Sequence, residues 1–354
     1  MAVYTPVSAA DARDFLGLFN ESEVGEYVSH TEIRQGVENS NFFLSATRGE
    51  FVLTLYERRV SAADLPFFLG FTRHLADAGI PAPRPLRLAD GRDYGALNGR
   101  PAALLARLPG AGGDDSARDP RLCRLAGAAL AEMHLAARSF GDVRDNDLGI
   151  AAWRGLLERA ETLHLRGGGG DGDGGSDGDG DGDGDGAGDG DGDNDDDERQ
   201  RDLARRGRRV LDAVERMWPR GLPSAVVHAD LFPDNVLFDD GEIRGVIDFY
   251  FACRDFFAYD LAVCHLAWCH DAEDGDGAPA GERSRALLAG YGSRRVPGEA
   301  EAEAWNVLSA GAALRFFLTR WIDTALTDDG CNVVVKDPLP MLRAAEYYLG
   351  EMGL

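Results

Sequence analysis

The side chains with the clearest chemical potential lie in one stretch of the second half of the chain. His228, Asp230 and Asn235 follow an apolar run with the spacing His-x-Asp-x4-Asn, and Asp248 closes the next apolar run. Carboxylate and amide oxygens are the ligands that Mg²⁺ prefers, and a carboxylate also accepts a proton from a hydroxyl. Asp230 is therefore predicted to be the catalytic proton acceptor, and Asn235 and Asp248 are predicted to be metal ligands.

This set of side chains suits phosphoryl transfer, which needs an oriented acceptor hydroxyl and cations that neutralise charge on the phosphates. Asp230 is expected to orient that hydroxyl, and His228 is expected to brace the loop by hydrogen bonding. Asp and Asn also crowd ordinary turns, which is the plain alternative. The apolar strands on both sides, with a second Asp at the end of the next strand, favour the catalytic interpretation.

The surrounding elements predict an α+β protein with a two-lobed, protein-kinase-like fold. Residues 24–60 and 84–108 alternate apolar and polar side chains, as antiparallel strands do, and residues 64–78 have helical spacing. We therefore predict a small N-lobe at 1–108, with a sheet plus one main helix, and a larger, mainly helical C-lobe at 109–354. Further helices are predicted at about 9–18, 121–137, 153–165, 199–217, 256–271, 282–291, 299–326 and 339–349, and strands within 225–250.

A tract rich in Gly and Asp interrupts the predicted C-lobe at 167–198. It is predicted to be disordered, because it has no apolar side chain larger than that of Ala187 to offset the entropy of the chain. Of the 61 acidic residues, 14 lie within 171–198, so the net charge of −24 overstates the acidity of the remainder. The remainder is still acidic, which argues against nucleic acid or a membrane surface as partner.

Cysteine usage and hydropathy bear on location. The five cysteines form no C-x-x-C pair, and an odd number leaves at least one thiol unpaired, as expected in a reducing compartment. No apolar run approaches the length of about 18 residues that a membrane span needs, and no targeting segment is evident. A cytoplasmic protein is therefore expected.

The stretch 226–249 resembles the catalytic and metal loops of the aminoglycoside phosphotransferase and choline kinase superfamily. Within it, the chain is most similar to the bacterial homoserine kinases, through blocks at 36–41 (GVENSN), 54–57 (TLYE), 65–70 (LPFFLG), 247–252 (IDFYFA), 259–262 (YDLA) and 313–316 (ALRF). The resemblance implies an enzyme dependent on ATP and Mg²⁺ that phosphorylates the hydroxyl of homoserine. The product, O-phospho-L-homoserine, belongs to threonine biosynthesis.

The resemblance also implies where the nucleotide binds. The loop after the first strand is expected to cover the phosphates, and the segment at 105–108 is expected to bind adenine. The expected nucleotide-binding residues are Gly36, Val37, Asn39, Ser40, Asn41, Thr54, Leu105 and Arg107. Kinases usually have a lysine at the position of Thr54, and the only lysine of this chain, Lys336, lies far away in sequence. Arg58 and Arg59 are the candidates to take the role of that lysine, although a solvated arginine is the plainer interpretation of both.

Homoserine offers an ammonium, a carboxylate and a primary hydroxyl, so its pocket should contain one acidic and one basic anchor. Arg315 is predicted to bind the carboxylate, because it lies among large apolar residues and arginine binds carboxylates with two hydrogen bonds. An internal ion pair is the alternative role for Arg315. Tyr250 is predicted to shape the pocket, and Asp230 to contact the acceptor hydroxyl. Asp260 follows Tyr259 at a predicted helix start and is predicted to support the metal loop, either as an N-terminal cap or as the partner of an arginine.

Other functions fit the same catalytic loop. The acceptor could be choline or ethanolamine, which would call for an aromatic cage, or an aminoglycoside, which would call for a strongly acidic groove, or a sugar. A catalytically weak pseudokinase that only binds nucleotide is the alternative that Thr54 suggests. The intact set of Asp230, Asn235 and Asp248 argues against it. The sequence does not indicate an oligomeric state.

Overall fold

A computed structural model describes residues 4–33, 39–57, 60–113, 119–165, 191–271, 277–326 and 336–354. The strands are β1 (Tyr27–Ile33), β2 (Ser40–Ala46), β3 (Gly49–Leu55), β4 (Gly95–Leu97), β5 (Arg100–Ala106), β6 (Ser224–Val227), β7 (Val236–Asp239), β8 (Glu242–Val246) and β9 (Cys253–Phe256). The helices are α1 (Ala9–Leu16), α2 (Glu21–Val24), α3 (Leu65–Asp77), α4 (Pro120–Ala137), α5 (Ile150–Leu165), α6 (Asp191–Met217), α7 (Phe257–Cys269), α8 (Gly281–Gly292), α9 (Glu299–Glu303), α10 (Trp305–Leu326) and α11 (Leu339–Gly350).

The chain divides into two compact units. The first comprises Met1–Asn146, Pro219–Asp271 and Pro279–Trp305, and the second comprises Asp147–Trp218, Ala272–Ala278 and Asn306–Leu354. The first unit therefore combines the N-terminal sheet with the strands that bear the catalytic motif. This division differs from the lobe boundary expected at residue 108, which stays a prediction.

The first unit begins with an antiparallel sheet in the order β1-β2-β3-β5-β4. Because side chains alternate along a strand, the sheet has two buried faces. One face packs on α1 and includes Phe42, Leu44, Leu53, Leu55 and Leu104. The opposite face packs on α3 and includes Tyr56, Ala103 and Leu105. The strands predicted for 24–60 and 84–108 and the helix between them thus correspond to β1–β5 and α3.

Two helices of the first unit approach each other unusually closely, and two glycines make this possible. A Cβ atom on Gly127 of α4 would lie 2.1 Å from the carbonyl oxygen of Leu287, and one on Gly290 of α8 would lie 1.9 Å from that of Arg124. Any other residue at either position would collide with the backbone of the opposite helix. The contact brings the end of α4 beside the end of α8, where the buried polar residues described below meet.

The second unit is built from α5, α6, α10 and α11. Its centre contains Trp153, Leu211, Leu314, Phe317 and Trp321, all of which are buried. An ion pair with two hydrogen bonds joins Arg206 of α6 to Glu346 of α11. Within the described part of the chain, no helix has the length and apolar character needed to cross a membrane.

The structure corrects three of the predicted boundaries. Helix α6 begins at Asp191 rather than near 199, and its acidic start is favoured by the helix dipole and by an ion pair between Asp197 and Arg201 one turn later. The helix predicted at 299–326 is divided by a turn at Ala304, which no proline or glycine marks. Strand β9 was not predicted. The remainder of the Gly/Asp tract, up to residue 190, lies outside the described residues.

Candidate active site

The catalytic motif follows β6, which pairs with β9. After Val227 the backbone turns sharply, because Ala229 adopts a left-handed conformation with φ of 62° that residues with a side chain rarely adopt. The carbonyl oxygen of Asp230 accepts hydrogen bonds from the backbone N–H of Phe232, at 2.8 Å, and from the side-chain amide of Asn235, at 2.8 Å. The loop thus turns back on Asp230, and the Asp230 side chain stays partly exposed.

The two predicted metal ligands lie at the same end of the β7–β8 hairpin. Val236 pairs with Val246, and the N–H of Ile247 donates to the carbonyl oxygen of Asn235 at 2.9 Å. Asp248 follows directly, in a left-handed conformation with φ of 65°. Strained conformations of this kind are typical of functional sites.

This donor set fits a magnesium ion. The amide nitrogen of Asn235 donates to the main chain, so its oxygen is the atom left to face a cation, and Asp248 supplies a carboxylate. Mg²⁺ usually takes one or two protein oxygens and completes its shell with phosphate and water. No group of three or more His, Cys, Asp or Glu side chains suited to a metal occurs in the described ranges.

His228 links the catalytic loop to the metal loop. Its Nδ1 accepts a hydrogen bond from the N–H of Asp230 at 3.3 Å, and its Nε2 lies 3.0 Å from the carbonyl oxygen of Ile247. Only the neutral ring with its proton on Nε2 can make both bonds. Burial lowers the pKa of His228 below its usual value, although the nearby Asp260 and Asp230 oppose this shift, so the ring stays neutral. His228 therefore connects the backbone at Asp230 with the backbone directly before Asp248.

Asp260 lies at the start of α7 and is fully buried. Its carboxylate accepts hydrogen bonds from the backbone N–H groups of His228, at 3.1 Å, and Ala229, at 2.7 Å, and from Nε2 of His134, at 2.9 Å. Burial alone would raise the pKa of Asp260, but the bond and charge of His134 and the bond from Ala229 outweigh burial and lower it. An ionised Asp260 thus holds the strained turn at Ala229.

The support behind Asp260 extends across the close contact between α4 and α8. Nδ1 of His134 lies 2.8 Å from the hydroxyl of Tyr291, which also accepts a hydrogen bond from Arg295 at 3.1 Å. Arg295 in turn makes two hydrogen bonds of 2.8 Å with the buried Glu301. The hydrogen-bonded network therefore extends from the Arg295–Glu301 ion pair, through Tyr291, His134 and Asp260, to the backbone N–H groups of the loop that contains Asp230.

The predicted nucleotide-binding residues on the sheet form a second polar cluster. The Ser40 hydroxyl donates to Glu57 at 2.6 Å, and the side-chain oxygen of Asn39 accepts from the N–H of Glu57 at 3.4 Å. The Thr54 hydroxyl donates to the side-chain oxygen of Asn41 at 2.8 Å. Gly36 and Val37, with Arg58 and Arg59, lie outside the described residues. The predicted nucleotide-binding residues that the structure describes here, Asn39, Ser40, Asn41 and Thr54, therefore lie close together.

The segment expected to bind adenine has part of its backbone already paired. Leu105 is buried on the sheet, and the N–H groups of Ala106 and Arg107 donate to the carbonyl oxygens of Arg84, at 2.9 Å, and Glu50, at 3.1 Å. The Arg107 guanidinium stacks over the ring of Phe43. The backbone N–H groups of Ala106 and Arg107 are therefore already paired within the protein. The nucleotide-binding assignment of Leu105 and Arg107 stays a prediction.

The two predicted substrate residues have different surroundings. Tyr250 belongs to the first unit, where its hydroxyl lies 2.9 Å from that of Tyr56. Arg315 is buried on α10 of the second unit, with its guanidinium 4.3 Å from the centre of the Phe316 ring. Its role as a carboxylate anchor stays a prediction.

Several residues of the site have no signal in the sequence that would single them out. Tyr56 and Glu57 lie directly after β3 and Tyr291 lies in α8, and only the fold pairs them with distant partners. Ala229 is marked only by its place between His228 and Asp230, since alanine does not suggest a left-handed conformation. His134 is buried and hydrogen-bonded to Asp260.

The fold and these loops define a class of enzyme. The chain belongs to the phosphotransferase enzyme family, which matches residues 29–305. Solved structures show the same fold: choline kinase from Cryptosporidium parvum covers 98% of this chain and 94% of its own, with a TM-score of 0.61 and 13% identity. Amicoumacin kinase, solved with AMP-PNP, Ca²⁺ and Ami, covers 94% and 90%, with a TM-score of 0.59 and 17% identity.

Within this class the chain is a member of the homoserine kinases. The homoserine kinase of Azorhizobium caulinodans is 43% identical over 354 residues, which cover 98% of this chain and 96% of the relative. That of Nitrobacter hamburgensis is 42% identical over 349 residues, covering 98% and 94%. The predicted family and the predicted kinase-like fold are thereby confirmed.

Proposed function

We propose that this chain transfers the γ-phosphoryl group of ATP to the hydroxyl of L-homoserine and so supplies O-phospho-L-homoserine for threonine biosynthesis. The observation that carries the proposal is the juxtaposition of Asp230, Asn235 and Asp248 in a chain 42–43% identical to homoserine kinases. Choline, ethanolamine, aminoglycosides and sugars remain as acceptors to be tested against homoserine.

In this proposal Asp230 accepts a hydrogen bond from the homoserine hydroxyl and orients its oxygen toward the γ-phosphorus. The new O–P bond forms as the bond to the bridging oxygen of ADP breaks, and the hydroxyl proton passes to the Asp230 carboxylate late in the transfer. His228 and Asp260 hold the backbone on which Asp230 sits. Their task is orientation, because both are buried and hydrogen-bonded to main-chain groups.

Asn235 and Asp248 would hold Mg²⁺, which supplies charge that neutralises the phosphate oxygens. The AMP-PNP and Ca²⁺ in the amicoumacin kinase structure support the use of nucleotide and a divalent cation by this fold. The four described cysteines are free thiols, in keeping with the cytoplasmic location expected from the sequence.

The test is release of ADP and formation of O-phospho-L-homoserine, followed by a coupled assay and by ³¹P NMR. Homoserine, choline, ethanolamine, a sugar and an aminoglycoside are compared as acceptors with Mg²⁺ present. We expect turnover with homoserine, and a loss of at least about 10²-fold in kcat for Asp230→Asn. Asp239→Asn, which makes the same change of charge on the exposed end of β7, is the matched control and should keep full activity. Turnover confined to another acceptor would reject homoserine as the substrate.

A further inference from the structure

The first described residues of the chain lie against the N-terminal sheet and are bound to it through their backbone. Residues 4–7, with the sequence YTPV, precede α1, and we call them the N-terminal segment. The N–H groups of Tyr4 and Thr5 both donate to the hydroxyl oxygen of Ser40, the first residue of β2, at 2.9 and 3.1 Å. One buried side chain therefore holds two successive residues of the segment.

The other half of the N-terminal segment is bound to the sheet at two further places. The carbonyl oxygen of Pro6 accepts a hydrogen bond from the side-chain amide of Asn98, in the turn between β4 and β5, at 2.9 Å. The carbonyl oxygen of Val7 accepts one from Nε2 of His30 on β1, at 3.0 Å. Side chains from three separate parts of the sheet thus bind four consecutive residues, and this fixes the course of the segment.

The Ser40 hydroxyl uses all of its hydrogen-bonding capacity in these contacts. Its single proton is donated to the carboxylate of Glu57, at 2.6 Å, and its two lone pairs accept the N–H groups of Tyr4 and Thr5. A phosphate oxygen only accepts hydrogen bonds, so it could bind this hydroxyl only by taking the proton away from Glu57. The Ser40 side chain, which is fully buried, is therefore already committed within the protein.

Glu57 depends on the same hydroxyl. Its side chain is 4% exposed, and its carboxylate pairs with Nε of Arg100 on β5, at 3.0 Å. Burial of a carboxylate is costly unless the group is paired and hydrogen-bonded, so Ser40 and Arg100 together stabilise it. Movement of Ser40 away from Glu57 would leave part of a buried charge without its donor. By holding Ser40, the N-terminal segment thus also fixes Glu57.

This anchor lies beside the candidate active site. Ser40 belongs to the group of residues on the sheet that are predicted to bind nucleotide. Glu57 directly follows Tyr56, whose hydroxyl lies 2.9 Å from that of Tyr250, and Tyr250 comes two residues after the predicted metal ligand Asp248. The N-terminal segment is therefore bound to the part of the sheet that contacts the predicted metal loop. All of these residues belong to the first compact unit.

We propose that the N-terminal segment positions the start of β2 for nucleotide binding, and that Tyr4, Thr5 and Ser40 are positioning residues of this site. In this role the Ser40 side chain anchors the segment and orients Glu57, and it is not a ligand of phosphate. Release of the segment should let Ser40 turn away from Glu57 and weaken nucleotide binding, while the catalytic motif itself is unchanged. The inference rests on the proposed function only in assuming that a nucleotide binds beside the start of β2.

The experiment measures binding of AMP-PNP with Mg²⁺ to the full-length protein by isothermal titration calorimetry. Thr5→Pro removes the N–H group that bonds Ser40 and leaves every side chain of the sheet in place. We expect it to weaken binding roughly three- to fivefold, because one such hydrogen bond corresponds to a factor of about five. Thr5→Ala removes the side chain but keeps the N–H group, so it is the matched control and should bind as the wild type does. Tyr4→Pro combined with Thr5→Pro removes both donors and should weaken binding at least about tenfold.

A second measurement uses the wild type alone. Coupling between two equilibria is reciprocal, so AMP-PNP with Mg²⁺ should slow hydrogen exchange of the Tyr4 and Thr5 amides by a factor similar to the loss in the double variant. Greater stability of the whole protein would not produce this effect, because amides near a terminus exchange by local opening. Exchange is followed by NMR. Thermal unfolding shows whether each variant is folded, and the exchange measurement decides if Thr5→Pro is unfolded.

The outcomes separate this proposal from the proposed function. Equal affinities of Thr5→Pro and Thr5→Ala, or amide exchange that the nucleotide leaves unchanged, would overturn the positioning role even if homoserine is phosphorylated. Weaker binding by Thr5→Pro together with slowed exchange in the wild type, while homoserine is not phosphorylated, would support the positioning role and reject the proposed substrate. A wild type that binds no AMP-PNP would overturn both.

Discussion

Replacing Asp260 by asparagine should weaken the support of the loop that contains Asp230 while leaving the Asp230 carboxylate itself unchanged. The carboxylate accepts three hydrogen bonds, and asparagine keeps the shape but turns one oxygen into a donor. The best arrangement keeps the bonds from His228 and His134 and sets the new amide against the N–H of Ala229. One charge-assisted bond is then lost, and a buried N–H loses its partner. We expect the free energy of unfolding to fall by about 3–5 kcal/mol.

The assay is urea unfolding followed by tryptophan fluorescence, with kinetics measured on the folded variant. We expect kcat to fall at least about tenfold with little change in the KM for ATP, because Asp230 is displaced while the sheet predicted to bind nucleotide is not. Asp212→Asn is the matched control, because its carboxylate is exposed and pairs with Arg154 at the surface, where such pairs contribute less than about 1 kcal/mol.

The dependence on pH sharpens this test. The pKa of Asp260 in the folded protein lies below its ordinary value of 3.8, so its ionised form contributes stability that is complete above that value and is lost as the pH falls below it. The difference in unfolding free energy between wild type and Asp260→Asn should therefore be constant near neutral pH and shrink below about pH 4. A loss of less than about 1 kcal/mol at neutral pH would refute the reasoning.

Three other substitutions test the same fold, each by urea unfolding. Ala229→Gly should change the free energy of unfolding by less than about 1 kcal/mol, because relief of the left-handed strain offsets the lost methyl group. Ala229→Val should lower the free energy of unfolding by at least about 2 kcal/mol. Equal effects of the two substitutions would contradict the strain at this residue. Gly290→Ala should lower the free energy of unfolding by about 1–3 kcal/mol and should also lower kcat. Gly292→Ala should not destabilise the protein, because a Cβ atom at that position would have nothing within 4 Å. No difference between the two variants would reject the close contact between the helices. Burial, with a smaller effect of His270, lowers the pKa of His265 to about 3. Acidification from pH 6.5 to about pH 5 should therefore reduce the free energy of unfolding by about 2 kcal/mol, because the histidine takes up a proton only in the unfolded chain. His265→Gln should lose this pH dependence, and an unchanged dependence would exclude His265 as its source.

The sequence predicted those parts of the molecule that depend on local patterns. Alternation and helical spacing placed β1–β5 and α3, and the spacing of Asp230, Asn235 and Asp248 indicated their chemistry. The hydrogen bond between Tyr56 and Tyr250 could not be predicted, because it joins residues 194 positions apart and neither residue type indicates such a partner. Thr54 showed that a lysine was missing, but what takes its place depends on contacts that only the fold creates.

Strand β9 was missed for a related reason. Its residues Cys253–Phe256 show no clear alternation, and they are extended because β6 offers a partner. The supporting role of Asp260 was expected in outline, as a cap or an arginine partner. The structure instead gives it backbone donors and His134, which a scan along the chain does not bring together.

Gly127 of α4 and Gly290 of α8 each lie against the backbone of the other helix, so main-chain contact rather than side-chain size sets the distance between these helices. Side chains elsewhere along the two helices can drift over generations, or be redesigned for solubility, without changing where His134 meets Tyr291, since backbone atoms already touch at Gly127 and Gly290. Tolerance to mutation should therefore be sharply uneven along α8. In a saturation-mutagenesis map, Gly290 should stand out as an intolerant position beside a permissive Gly292, although neither touches a substrate.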